Sequence, residues 1–230
     1  MESIMEYWYE THMHTSESSR CGQNSAAAQV RAYKKRGYTG IIITDHFVHG
    51  LWKRLPLPWK VKMKHVTSGY EAAKKEGIRC GLDVFFGWEF SVDGADFLTY
   101  GLDFNFLFEH IHLDKLSLPE YSNLIRKSGG YIAQAHPYRD RANRGDKFPV
   151  DPKFLDGLEV YNALDARRAN NSNEKAFAFA QKHNLPIQAG SDSHGVNIPI
   201  ASGIKLDKRA DSIFDIIEAI KTKSVKLILP

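Results

Sequence analysis

Short apolar segments alternate with helix-forming segments along most of this chain, and this alternation limits its possible folds more than any other feature. The predicted strands cover residues 7–11, 41–44, 84–90, 97–100, 131–135, 158–161, 187–189 and 225–229. The predicted helices cover residues 25–36, 61–76, 119–127, 173–183 and 212–221. Such alternation is typical of βαβ units, which build a parallel sheet. It predicts an α/β fold, either an open doubly wound sheet or a closed barrel.

An open nucleotide-binding sheet would carry a glycine-rich phosphate loop after its first strand. Neither the GxGxxG nor the GxxxxGK[ST] pattern occurs in the 230 residues. A chain of this length also suits a single α/β barrel. We therefore predict one barrel domain over residues 1–230.

The charge and the cysteine content restrict the partners and the compartment. The formal net charge is +4, and the lysines and arginines lie in short scattered groups, so general nucleic-acid binding is not expected. Two cysteines do not form a disulfide framework, and a reducing cytoplasm is the expected location. The first residues do not resemble a secretory leader, and the apolar runs are much shorter than the ~20 residues of a membrane span. No membrane association is expected.

Residue types that bind metals follow the predicted strands in succession. They occur in HMH at residues 12–14, TDH at 44–46, GWE at 87–89, AHP at 135–137 and GSDSH at 190–194. In a parallel α/β barrel the carboxyl ends of the strands meet on one face, where active sites lie. Each motif alone is weak, and a second HxH at residues 110–112 is interpreted as background. Together they predict a metal cluster, because burying so many ionisable groups without compensation costs several kcal/mol each.

In this order and context, the five motifs resemble the PHP family of metal-dependent phosphoesterases, named for its polymerase and histidinol phosphatase members. The resemblance extends from Glu10 to about Gly203. It implies a distorted (β/α)7 TIM-like barrel with two or three divalent ions, manganese, iron or zinc, at its C-terminal face.

The resemblance also implies individual roles. The first ion would be held by His12, His14, Glu89 and Asp192, and the second by Glu89, His136 and Asp96. A third ion would take His46 and His194. Its remaining ligand should fall at Ser19 or Arg20, which are poor ligands, so both Glu17 and Cys21 stay open as replacements.

The predicted activity is hydrolysis of a small phosphomonoester or nucleotide phosphodiester by metal-activated water. Arg139 is a candidate for phosphate contact and catalysis, and Arg168, or its neighbour Arg167, for substrate binding. Asp45 is a candidate either for proton transfer or as an outer partner of a ligating histidine. The expected partner is a small phosphorylated substrate, with nucleic acid only as a nucleotide or oligonucleotide. Two alternatives stay open: a protein-tyrosine phosphatase of the same family, and a non-catalytic metal-binding module.

Overall fold

The computed structural model describes residues 5–48, 50–139, 148–167, 171–197 and 202–229. Its strands are β1 (Tyr7–Glu10), β2 (Gly40–Ile43), β3 (Asp83–Val92), β4 (Ala95–Tyr100), β5 (Tyr131–Ala135), β6 (Gly157–Asn162), β7 (Ile187–Gly190), β8 (Gly203–Leu206) and β9 (Lys226–Ile228). Its α-helices are α1 (Ala26–Lys35), α2 (Leu51–Arg54), α3 (Trp59–Cys80), α4 (Phe104–Glu109), α5 (Leu118–Lys127), α6 (Ser172–Lys182) and α7 (Ile213–Lys221). Short 3-10 helices cover Leu113–Lys115, Pro152–Phe154 and Asp165–Arg167.

The strands form one sheet in the order β7-β6-β5-β4-β3-β2-β1-β8-β9. Beyond β1 and β7, Met13 and Ser193 form a parallel bridge, with His14 N donating to Ser193 O at 2.8 Å. This bridge brings the ends of the first and seventh strands together, while β8 pairs with the earlier part of β1. The predicted seven-stranded barrel is thereby confirmed, and β8 and β9 form an additional antiparallel pair beside it.

The sheet is not all parallel, as the alternation had suggested. Strand β4 runs antiparallel to both β3 and β5. The cause is local: Asp93 and Gly94 connect β3 to β4 with φ of 51° and 80°, as a two-residue hairpin requires. Parallel strands need a much longer crossover, so this short turn sets the direction of β4.

Local sequence signals place most helix ends. Ser25 caps α1, and capping boxes at Ser117 and Ser212 begin α5 and α7. The predicted helix over residues 61–76 was too short, because α3 continues to Cys80 and ends before a left-handed Gly81. Gly77 instead allows close packing, since a Cβ there would lie 2.6 Å from Leu82 O.

Hydrogen bonds between tyrosine and glutamine side chains cross the barrel interior. Tyr100 Oη donates to Thr11 O at 2.7 Å and accepts from Gln188 Nε2 at 2.9 Å, while Tyr131 Oη donates to Gln188 Oε1. These contacts join strands that are not neighbours in the sheet, so they cross the interior.

Among the described residues, no helix combines the length and apolar composition that crossing a bilayer requires.

Candidate metal centre

The five strand-end motifs converge on the carboxyl face of the barrel. His12 and His14 follow β1, His46 follows β2, His136 follows β5, and the Asp192–His194 segment follows β7. Glu89 differs from the other motif residues, because it lies inside β3 and not after it. Glu89 nevertheless lies at the carboxyl face with the other motif residues, since it forms a parallel bridge with His46 beyond the end of β2.

The first group of ligand-type atoms surrounds the two histidines of the HMH motif. His12 Nε2 and His14 Nε2 are 3.2 Å apart. Asp192 Oδ1 lies 3.4 Å from the former and 3.1 Å from the latter. The Glu89 carboxylate lies 3.6 Å from each ring. All four side chains are buried, and this arrangement matches the four ligands that the resemblance implied for a first ion.

A second group shares Glu89 with the first. Glu89 Oε1 is 3.0 Å from His136 Nε2, and Asp96 Oδ2 is 3.9 Å from the same nitrogen. Ligand atoms of Glu89, Asp96 and His136 all lie within 4.8 Å of one another. Glu89 is therefore positioned between two groups, as expected of a bridging carboxylate.

A third group contains His14, Cys21, His46 and His194, whose ligand atoms again lie within 4.8 Å of one another. Glu17 does not belong to it. Its carboxylate accepts hydrogen bonds from Ala26 N at 2.9 and 3.0 Å, next to the start of α1. Of the two open replacements, the structure places Cys21 beside the histidines.

The chemistry of the donor atoms tests whether these groups fit a cation. Glu89 Oε2 is inaccessible to solvent and lies 2.7 Å from His46 Nδ1, so a buried carboxylate and an imidazole meet here. Imidazole with carboxylate is a donor set that divalent transition ions prefer. The residues present therefore fit divalent ions.

The charges of these groups are strongly perturbed. Burial alone would lower the pKa of His12, but Asp192 and Glu159 raise it to about 10. Burial opposes ionisation of Asp192, yet His12 and Arg139 hold its pKa well below the usual range. Burial and the nearby His46 lower the pKa of His14 to about 3. Protons on the histidines balance the charge of the buried carboxylates here, and a bound cation would take their place.

Outer partners orient the ligating rings. Glu159 Oε1 accepts from His12 Nδ1 at 2.9 Å, and Glu159 Oε2 accepts from His136 N at 3.0 Å. The His12 bond leaves Nε2 facing the other ligands, the arrangement usual for metal-binding histidines. The sequence did not lead us to predict a role for Glu159. The available signal was a carboxylate in the middle of the apolar strand GLEVYN.

This role of Glu159 predicts that Glu159→Ala weakens divalent-metal affinity by about 10- to 100-fold, because His12 loses its orienting partner. Glu159→Gln should lose less, since its amide oxygen can still accept from His12 Nδ1. Isothermal titration with Mn²⁺ measures both. Equal losses in the two variants would argue against orientation as the cause.

Backbone conformation also places two ligands. His136 and Asp192 adopt positive φ values of 32° and 52°, which are uncommon for residues other than glycine and cluster at functional sites.

Gly190, at the end of β7, is required for a different reason. A Cβ there would lie 2.6 Å from His12 Cβ and 2.7 Å from Glu159 Oε1, so only glycine lets β7 approach these side chains.

Asp45 is not placed for proton transfer. Its buried carboxylate accepts from Thr15 N at 2.7 Å, Thr15 Oγ1 at 2.6 Å and Ser19 Oγ at 2.6 Å. Ser19 Oγ lies 3.3 Å from His14 Nδ1 and accepts from His46 N at 3.0 Å. Asp45 therefore acts on the histidines through Ser19, in line with the outer-partner alternative.

Arg139 is placed among protein carboxylates. Its Nη2 lies 2.6 Å from Asp192 Oδ2 and 3.0 Å from Asn162 Oδ1, and its Nε lies 2.7 Å from Asp165 Oδ1. Its side chain is only 12% exposed. These contacts fit a positioning role toward Asp192 better than the predicted phosphate contact. Arg168 lies outside the described residues.

A second buried carboxylate that the sequence interpretation missed joins the ends of β1 and β7. Glu10 accepts from His12 N and Ser191 N, both at 2.9 Å, and from Tyr33 Oη at 2.8 Å. Burial raises its pKa to about 7. Glu10 fixes the backbone of both ligand-bearing segments without reaching the ligand groups.

A cavity of about 870 Å³ opens beside the third group. Described residues that line it include Ser19, Arg20, Cys21, His46 and Trp52. Trp52 stacks on His65, another lining residue, with ring centroids 3.7 Å apart. The cavity therefore joins the ligand groups to solvent along a wall that has both aromatic and cationic side chains.

The fold and the site together define the class of protein: an α/β barrel with groups that can hold metal ions at the carboxyl ends of its strands. Residues 10–183 match the PHP domain family, and residues 170–197 match a family described as PHP-associated. The chain belongs to the PHP domain family, whose members are metal-dependent hydrolases. No curated protein matches the chain.

Solved structures show the same fold. A two-domain protein from Bacteroides vulgatus, containing a predicted PHP-like metal-dependent phosphoesterase, matches with TM-score 0.73 and 16% identity over 98% of this chain and 65% of that one. A lesion-specific endonuclease from Pyrococcus furiosus matches with TM-score 0.61 and 14% identity, over 98% and 58% of the respective chains. An amidohydrolase from Chromobacterium violaceum with bound sulfate matches with TM-score 0.56 and 15% identity, over 92% and 96%. The chain thus spans less than two thirds of the first two proteins.

Proposed function

We propose that this protein is a phosphoesterase that hydrolyses a small phosphomonoester or nucleotide phosphodiester with the help of two or three divalent ions. The observation that carries the proposal is the position of Glu89, which is shared by two ligand groups. Its oxygens lie 3.6 Å from both His12 Nε2 and His14 Nε2 and 3.0 Å from His136 Nε2. Carboxylates shared in this way are characteristic of two-metal centres that hydrolyse phosphoesters.

The residues have distinct roles in this proposal. His12, His14 and Asp192 would hold the first ion, Asp96 and His136 the second, and Glu89 both. Bound divalent ions supply a Lewis acid for the phosphoryl group and lower the pKa of water. Glu159 and Arg139 position His12 and Asp192, and the burial of all these groups excludes bulk water and strengthens their interactions.

The cavity beside the site supports a small-molecule substrate, because its volume of about 870 Å³ falls within the range of ligand pockets. Arg20 is a lining residue that can neutralise phosphate, whereas Nε and Nη2 of Arg139 contact protein acceptors. The aromatic pair Trp52 and His65 offers a surface for a planar group. A nucleotide or an aryl phosphate would use both features.

Metal removal tests the activity itself. Protein stripped with a chelator should lose hydrolysis of p-nitrophenyl phosphate and bis(p-nitrophenyl) phosphate, and Mn²⁺, Fe²⁺ or Zn²⁺ should restore it. The two substrates separate monoesterase from diesterase activity, and a phosphotyrosine peptide and a short oligonucleotide extend the panel. Metal binding without turnover on any of the four substrates would instead favour the non-catalytic metal-binding module.

The proposed role of Arg20 predicts that Arg20→Ala raises KM by about 10-fold and changes kcat much less, because a cation that binds substrate and transition state equally contributes only to binding. Steady-state kinetics with the best substrate of the panel provides the measurement. Lys127→Ala, on α5, serves as a control for the loss of one exposed cation. An unchanged KM in Arg20→Ala would show that Arg20 does not bind the substrate.

A further inference from the structure

We propose that Cys21 is a thiolate ligand of the third metal position, together with His46 and His194, and that this position prefers zinc or iron to manganese. The inference rests on the metal centre of the proposed function and concerns the identity of one ligand and the ion that it selects. The histidines were implied by the family resemblance. The thiol is a feature of this chain.

The geometry of the third group supports direct ligation. One ligand atom from each of Cys21, His46, His194 and His14 lies within 4.8 Å of every other. The Cys21 sulfur therefore lies beside the side chains of both His46 and His194. A thiol that meets two imidazoles at one point has the arrangement of a mixed sulfur and nitrogen site.

The other polar side chains of this loop are committed elsewhere. Ser19 Oγ donates to Asp45 Oδ1 at 2.6 Å and accepts from His46 N. Glu17 accepts from Ala26 N at the start of α1. Cys21 is thus the residue that this loop contributes to the third group.

Outer contacts prepare His194 for this role. Its Nδ1 donates to the Asp192 backbone carbonyl at 2.8 Å, which leaves Nε2 as the ligand nitrogen. His14 is shared with the first group, because its Nε2 lies 3.1 Å from Asp192 Oδ1. Cys21, His46 and His194 are therefore the three residues specific to this position.

Three protein ligands leave a coordination position open, as in catalytic and not in purely structural zinc sites. Cys21 and His46 both line the cavity of about 870 Å³, so the open position would face the substrate side. Thiolates favour zinc and iron over manganese and magnesium, which prefer oxygen ligands. The two remaining groups contain no sulfur and carry no such preference for soft ions.

Cobalt substitution tests the ligand directly, because a cobalt–thiolate bond gives a charge-transfer absorption in the near ultraviolet. Metal-stripped wild-type protein titrated with Co²⁺ should develop this band. Cys21→Ser should lose it while still binding cobalt at the sulfur-free groups. Cys80→Ser is the matched control, since Cys80 is the other cysteine and lies at the end of α3, and it should keep the band.

A zinc titration gives a second readout that does not depend on absorption. Cys21→Ser should weaken the affinity for one zinc equivalent by at least about 10-fold and leave manganese binding nearly unchanged. A missing band in the wild type, or a band kept in Cys21→Ser, would overturn the inference. Turnover is recorded in the same samples: a band without hydrolysis contradicts the proposed function alone, and hydrolysis without a band contradicts this inference alone.

Discussion

Glu89→Gln is expected to lower kcat by about 1000-fold or more, which corresponds to roughly 4 kcal/mol of transition-state stabilisation. Glu89 lies between two ligand groups and is almost fully buried. The amide of glutamine is uncharged and has one oxygen, so it cannot bind two cations as a carboxylate does. Steady-state kinetics and metal analysis of the same preparation measure the loss of turnover and of bound ions together.

Glu218→Gln is the matched control for this experiment, because Glu218 is an exposed carboxylate on α7. It should keep both turnover and metal content. Circular dichroism should show that Glu89→Gln remains folded, since removing one buried charge from a carboxylate-rich site does not create a cavity. Full activity in Glu89→Gln would refute its bridging role.

Arg139→Met is expected to destabilise the metal-free protein by about 3 kcal/mol, because removing one partner of a buried ion pair leaves the other charge uncompensated. Arg139 lies 2.6 Å from Asp192 Oδ2 and 2.7 Å from Asp165 Oδ1, and both acids are almost fully buried. A divalent ion bound at Asp192 would supply part of the missing charge. The destabilisation should therefore be smaller with metal than without it.

Urea unfolding in a chelator and in saturating Mn²⁺ provides the comparison. Arg54→Met replaces an exposed arginine of α2 and should change the free energy of unfolding by less than about 0.5 kcal/mol in both conditions. An Arg139→Met protein as stable as the wild type in chelator would show that Asp192 does not need this countercharge. If the free energy of unfolding falls equally with and without metal, Arg139 does not interact with the metal centre.

The sequence predicted well which metal-binding residue types come together on one face, because two independent signals coincided there. His12, His46, His136 and His194 are metal-binding residue types that directly follow or adjoin the ends of apolar strands. In an α/β barrel these ends meet on one face, so proximity in space followed from topology alone. The structure places them within the ligand groups.

Interactions between distant segments were not predictable in the same way. Glu159 contacts His12, which is 147 residues away, and Arg139 contacts Asp165 and Asp192 across two strand ends. A local pattern shows that an arginine follows a histidine motif, but it does not show which acids surround its guanidinium. Arg139 was therefore interpreted as a phosphate ligand, whereas the structure gives it carboxylate partners.

The predicted direction of one strand was wrong for a related reason. The alternation of strands and helices predicted parallel neighbours, yet the turn at Asp93 and Gly94 reverses the chain between β3 and β4. Both residues adopt positive φ, which asparagine, aspartate and glycine tolerate best. The DG dipeptide was the sequence signal for this hairpin. Strand β8 was also missed, because four residues with one lysine give too short a pattern to distinguish from a loop.

Glu89 is proposed to join two metal positions at the carboxyl face of this barrel. The decisive measurement is anomalous diffraction at the manganese absorption edge from crystals of metal-stripped protein soaked in Mn²⁺. We expect at least two anomalous peaks, one at ligand distance from His12, His14 and Asp192, the other from His136, and Glu89 in contact with both. Peaks confined to surface carboxylates, or no peak beside Glu89, would refute the bridging position.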